Sequence, residues 1–131
     1  GMSGVSNDLR DVELAAEAGN EDAKNAVESY CYQIQKQIGS YAAAMGGVDA
    51  ISFAGGIGEN SALVRRLSLA GLDFMGVSID QSKNEVAKPD CEITGEESRA
   101  RVFVIATNEE IVVANKAKAF LQHRQQRGGN L

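Results

Sequence analysis

Two short apolar runs constrain this chain more than any other feature. "VDAISFA" (48–54) and "RVFVIAT" (101–107) are near-continuous stretches of apolar residues. Each gives way to a polar break and then to a helical pattern, over 61–70 (stopped by Gly71) and over 108–124. Runs of this kind mark strands covered on both faces. Strand-then-helix units imply a parallel arrangement, with ligands gathering at the C-terminal ends of the strands. Between the two units, "VSIDQSKNEVA" reads as a hairpin, two β-type runs around a polar turn. The expected class is α/β: a mixed sheet with helices packed on it.

Two helices precede the first strand. Residues 8–18 form a short one after a Ser6 or Asn7 cap, ending at Gly19. Over 21–45, Ala23, Ala26, Val27, Tyr30, Cys31, Ile34, Ile38, Tyr41, Ala42 and Met45 recur at three and four, and Gly46-Gly47 stops the pattern. At 1.5 Å per residue this is roughly 37 Å of amphipathic helix. A stripe of that length exceeds what one small lobe covers easily, so it is expected to meet a partner, unless the helix simply crosses its own sheet. The tail over 125–131 reads as frayed.

Composition excludes several classes. The 131 residues suit one domain with a single core. A net charge of −5 and a pI near 4.9 argue against nucleic acid and anionic membrane as partners. The longest apolar runs are far shorter than a membrane span. No signal-peptide pattern is present. Cys31 and Cys91 are isolated and His123 is the only histidine, so neither a zinc site nor a disulfide framework is indicated. A cytoplasmic, reduced protein is the expectation.

"FAGGIGEN" (53–60) follows the first apolar run with three glycines in four positions. So much backbone freedom predicts a sharp turn rather than a helix interior. Gly56-Ile57-Gly58-Glu59-Asn60-Ser61 begins like the dinucleotide fingerprint, but Ser61 stands at the third glycine position and the stretch sits mid-chain. A Walker A loop is absent. Glu59 beside a polyphosphate would oppose the attraction of a helix N-terminus for anions. A pocket whose glycine backbone lies against a flat base and ribose fits better, with Glu59 turned away or capping a helix. Asn60 then bonds the nucleoside or caps the next helix. The plain alternative is a strand-to-helix turn with no ligand.

"ATNEEIVVANKA" (106–117) repeats the arrangement. Thr107 and Glu110 have the spacing of a capping box, which gives Glu110 a structural task and leaves Glu109 free. Glu109 is then either a surface carboxylate stabilising the helix dipole or a Mg²⁺ ligand, direct or through water.

The stretches "SGVSNDLRDVE" (3–13), "FAGGIGENSALVR" (53–65) and "ATNEEIVVA" (106–114) together resemble the acetate kinase family, which also holds propionate and butyrate kinases. The resemblance implies the two-lobed architecture of actin, hexokinase and the Hsp70 ATPase, which is ribonuclease H-like. It implies phosphoryl transfer between ATP and a short-chain carboxylate, acetate first among them, to give ADP and an acyl phosphate with Mg²⁺. It also implies cytoplasmic homodimers associating largely through the C-terminal lobe. By the motif match, Asp8, Leu9 and Arg10 border the adenosine, Gly56, Ile57 and Asn60 form the facing wall, and Glu109 is the magnesium-associated glutamate. Family members are much longer, and their catalytic aspartate, arginines and histidines lie in segments upstream of those matched here. Residues 1–131 are therefore expected to be the C-terminal nucleotide-binding lobe, inactive alone, meeting the carboxylate only together with an N-terminal lobe.

The competing reading, from another class, is a free-standing nucleotide-binding or interaction module. A dinucleotide oxidoreductase domain is a third, opposed by the missing third glycine and by the lack of an acidic residue after a second strand.

Overall fold

The computed structural model describes residues 9–106 and 111–115. Helix α1 (Leu9–Glu17) turns at Gly19 into α2 (Glu21–Met45). The long helix begins where Asn20 accepts a hydrogen bond from the Ala23 amide at 2.9 Å. Glu21 and Asp22 in its first turn favour the positive end of the helix dipole. It ends at Gly46, whose φ of 77° suits glycine and whose N–H reaches back to Ala42 and Ala43. Both ends fall where the sequence places them.

Most of the apolar stripe of α2 is covered by the chain itself. Ala23, Val27, Cys31, Ile34, Ile38 and Ala42 are buried by the chain itself, against α1, helix α4 (Ala62–Leu69) and the end of the sheet. The expectation of an uncovered stripe is corrected at these six positions, which α1, α4 and the sheet cover between them. Tyr41, which the sequence reading counts in the stripe, lies exposed, as does Tyr32 outside it.

Four strands form one sheet in the order β2-β3-β1-β4: β1 (Ala50–Phe53), β2 (Cys91–Glu92), β3 (Arg101–Val104) and β4 (Ile111–Ala114). β1 and β3 pair in parallel, Ile51 beside Val102 and Phe53 beside Val104, as the strand-then-helix pattern requires. Both outer strands run antiparallel, so the sheet is mixed. Ile51, Phe53, Val102 and Val104 are fully covered and share one core with the α2 stripe. Ser52 and Phe103, on the opposite face, are half-buried. The two runs thus have one sealed face and one partly open face, rather than two covered ones.

Three further expectations fail. The glycine stretch is no open turn but a short helix, α3 (Gly55–Asn60), in which only Gly55, at φ 77°, has the left-handed backbone. Glycine in a helix interior costs about 0.5–1 kcal/mol against alanine, so bonds from outside must hold α3. The presumed hairpin is absent. Asp80 caps α5 (Gln81–Glu85) through the Lys83 amide, while Ile79 bridges to Thr94 and the Gly95 amide donates to Ser78. The cap competes successfully with the polar turn. Finally, Ile111–Ala114 is a strand on the free edge of β1, not part of a helix over 108–124. β-branched residues suit such an edge. The Thr107–Glu110 capping box lies outside the described residues, but the segment it would open is extended, which removes that argument for setting Glu110 apart from Glu109. The N-terminal cap at Ser6 or Asn7 and the frayed tail over 125–131 also lie outside the described residues.

Candidate functional site

β1 ends at Phe53, and two residues later α3 begins. This sets α3 at the C-terminal end of a central strand, where ligands of open α/β sheets collect. α1 stands opposite. Between them lies an open cleft of about 600 Å³ lined by Leu9, Arg10, Glu13, Leu14 and Glu17 from α1 and by Gly56, Ile57, Asn60 and Ser61 from the other wall. Ligand pockets for small molecules typically begin at about 300 Å³. The α1 residues are spaced at three and four, so they share one helical face.

Five residues singled out from the sequence converge here: Leu9, Arg10, Gly56, Ile57 and Asn60. Asp8 and Glu109 lie outside the described residues. Glu59 is half-buried and absent from the lining. The glycine at 56 has ordinary helical backbone, and a Cβ built there meets no atom within 4 Å. What its missing side chain leaves open is space at the cleft rather than a backbone conformation. Asn60 does not cap the next helix; its Nδ2 donates to the Gly56 carbonyl at 2.8 Å, closing α3 on itself.

The cap is Ser61. Its Oγ accepts from the Val64 amide at 3.0 Å and opens α4. The same hydroxyl donates to the Glu13 carboxylate, tying the two walls together across the cleft. Sequence reasoning missed this pair, along with Leu14 and Glu17 in the lining. The α1 face was legible in principle, since 10, 13, 14 and 17 follow Leu9 at helical spacing.

Behind α3 sits Arg65, 2 % exposed. Its Nε donates to Asn84 Oδ1 at 2.7 Å, one terminal nitrogen to the Gly58 carbonyl at 2.7 Å, and the other to the Asn84 carbonyl at 3.0 Å. Asn84, itself fully buried, donates to the Ala62 carbonyl at 2.9 Å. The salt bridge found among the described residues joins Glu92 and Arg101; none reaches Arg65. Burial accordingly pushes the Arg65 guanidinium below its ordinary range, although arginine stays charged at neutral pH.

Apolar surface from Leu9, Leu14 and Ile57 suits a flat base, and the carboxylates of Glu13 and Glu17 suit hydroxyl or amino donors. One arginine against two glutamates gives little attraction for a polyphosphate. Among the described residues no group of three His, Cys, Asp or Glu side chains could hold a metal ion. No helix among them is long and apolar enough to cross a membrane.

Sheet, cleft and motif order define an α/β domain of the actin-like kind with an open cleft at the end of its central strand. The Acetokinase family model matches residues 1–115, and the chain belongs to that family. It is 50 % identical over 123 residues to the acetate kinase of Caldicellulosiruptor bescii, covering 92 % of this chain and 31 % of that protein. The crystal structure of Porphyromonas gingivalis acetate kinase matches 81 % of the chain and 27 % of its own length, with a TM-score of 0.76 and 44 % identity. A propionate kinase structure from Francisella tularensis matches 84 % of the chain and 28 % of its own length, with a TM-score of 0.73 and 37 % identity. The chain thus spans about a third of the length of the relatives it matches.

Proposed function

We propose that this chain is the C-terminal nucleotide-binding lobe of an acetate kinase-type phosphotransferase. The observation that carries the reading is the convergence of two sequence-distant motifs, Leu9–Arg10 and Gly56–Asn60, on one cleft. On this reading the adenine and ribose of ATP or ADP lie against the α3 backbone at Gly56 and Ile57, with Leu9 and Arg10 opposite and Asp8 at the same edge. The apolar lining and the two carboxylates favour this neutral end of the nucleotide over the phosphates. Glu109 serves the phosphate-bound Mg²⁺, an assignment supported by the motif match alone. The ion would neutralise charge on the transferring phosphoryl group.

Phosphoryl transfer rests on positioning and on positive charge around the transferring group. Arg10 is the cation lining the cleft. The chemistry accordingly needs groups beyond this region, and the 131-residue chain alone is expected to form no acyl phosphate from ATP and acetate. The short-chain carboxylate, acetate first among them, and the homodimer of the cytoplasmic enzyme belong to the same proposal.

Substitution within the complete enzyme tests it. Gly56→Val should raise the KM for ATP, since the new side chain enters ligand volume, and leave the carboxylate KM nearly unchanged. Glu109→Ala should lower kcat and shift the magnesium requirement, while Glu110→Ala should not. An unchanged ATP KM in Gly56→Val would mean that the cleft does not hold the nucleotide. A silent Glu109→Ala beside a magnesium-insensitive Glu110→Ala would reverse the two carboxylates.

A further inference from the structure

α3 is an improbable helix. Three of its six residues are glycine, and Ala54 at its start offers no side-chain cap. Yet it forms one wall of the cleft, and a wall that unwinds has no fixed surface to present to a ligand. Within α3 the stabilising bonds are local: Asn60 to the Gly56 carbonyl, and the Ser61 amide to the Ile57 carbonyl at 2.9 Å. The bond that ties α3 to the rest of the fold from behind runs from Arg65 to the Gly58 carbonyl.

That guanidinium is unusual in its company. All three of its bonds go to neutral oxygens, two of them on Asn84 of α5. A buried cation hydrogen-bonded to no carboxylate is ordinarily a burden on stability, eased here by the nearby charge of Glu85. A planar fork reaching three acceptors in three directions is something that neither lysine nor an apolar side chain can supply. Arg65 faces away from the cleft and is absent from its lining. Its effect on a ligand must therefore be exerted through α3.

We propose that Arg65 is a positioning residue for nucleotide binding, holding α3 in helical form through Gly58 and coupling it to α5 through Asn84. This rests on the reading of the cleft as a nucleotide site. α5 contributes nothing to the cleft lining, yet its buried Asn84 fixes two of the three guanidinium directions. Loosening α5 at Asn84 thereby frees Arg65 to leave Gly58. The ligand whose affinity follows is the nucleoside end of ADP or ATP.

The test pairs amide hydrogen exchange with ADP binding, on wild type, Arg65→Lys, Asn84→Ala and the control Leu72→Ala. Leu72 is a core residue that lines no part of the cleft and takes no part in the bonds of Arg65 or Asn84, so its truncation lowers stability without removing the fork. In Arg65→Lys the amides of residues 56–61 should exchange about tenfold faster relative to those of α2, and ADP affinity should fall by a similar factor. Asn84→Ala should do the same more weakly, because it removes the Oδ1 acceptor but keeps the Asn84 carbonyl, and it serves if Arg65→Lys does not fold. Leu72→Ala should speed exchange everywhere alike and leave ADP affinity unchanged. Uniform acceleration in Arg65→Lys, or loose α3 amides with unchanged ADP affinity, overturns the proposal. Wild-type protein that binds no ADP overturns the nucleotide reading instead, and the exchange ratio then decides the positioning of α3 by itself.

Discussion

Ser61→Ala removes two bonds at once. The hydroxyl caps α4 by accepting from the Val64 amide and clamps α1 by donating to Glu13. Losing a serine cap to alanine costs about 1 kcal/mol. A hydrogen bond to a charged group is worth roughly 1.5–3 kcal/mol; Glu13 is half-buried at an open cleft, so the lower end applies. The sum is about 2.5 kcal/mol. For a chain of this length, between the two size classes for which the shift is known, each kcal/mol moves Tm by about 4 °C. Scanning calorimetry should therefore show Tm lower by roughly 10 °C. Ser61→Thr, which keeps the hydroxyl, should recover most of it. A double-mutant cycle with Glu13→Ala isolates the clamp, whose coupling should be about 1.5 kcal/mol. A Tm within about 1 °C of wild type would refute the cap and the clamp together. Strictly additive single changes would refute the clamp alone.

Three further outcomes are expected. Gly76→Ala should destabilise by about 1–2 kcal/mol in urea titrations, because Gly76 has φ 80° and a new Cβ would lie 2.5 Å from Arg99 Nε. Asn20→Ala should cost about 1 kcal/mol by removing the cap of α2, read as a lower urea midpoint with an unchanged slope. Bonds from Arg101 first and Thr94 second hold the Glu92 carboxyl down from 4.5 to about 2. A depressed carboxyl stabilises the fold above its unfolded pKa and loses that contribution as pH falls from about 4.5 towards 2. Because the pair is well exposed, Glu92→Gln should cost less than about 1 kcal/mol at pH 7. The difference from wild type should vanish at the acid end of that window.

Legibility from sequence followed the range of the forces. α2 was readable to the residue because its signals are local: a three-four stripe and a glycine stop. The parallel pair β1–β3 was readable because apolar content and following helices announce it. α3 was not, since three glycines argue against a helix and the group that holds it, Arg65, is anchored by an asparagine nineteen residues further on. β4 was missed for a similar reason. "IVVA" after a polar break serves a helix or a strand equally, and the open edge of β1 that it fills lies far back in the chain. Within the cleft, the glycine wall and Leu9–Arg10 were found from motif resemblance. Glu13 and Ser61 escaped because their bond spans 48 residues.

The central claim is that the cleft between α1 and α3 receives the nucleoside end of an adenine nucleotide. Titration of millimolar ADP into isotope-labelled protein, followed by amide chemical shifts, tests it directly. The account predicts shifts concentrated at Leu9, Arg10, Gly56, Ile57 and Asn60, reproduced by adenosine and abolished in Gly56→Val. Saturating shifts that cluster elsewhere, or that inorganic pyrophosphate reproduces while adenosine does not, would contradict it.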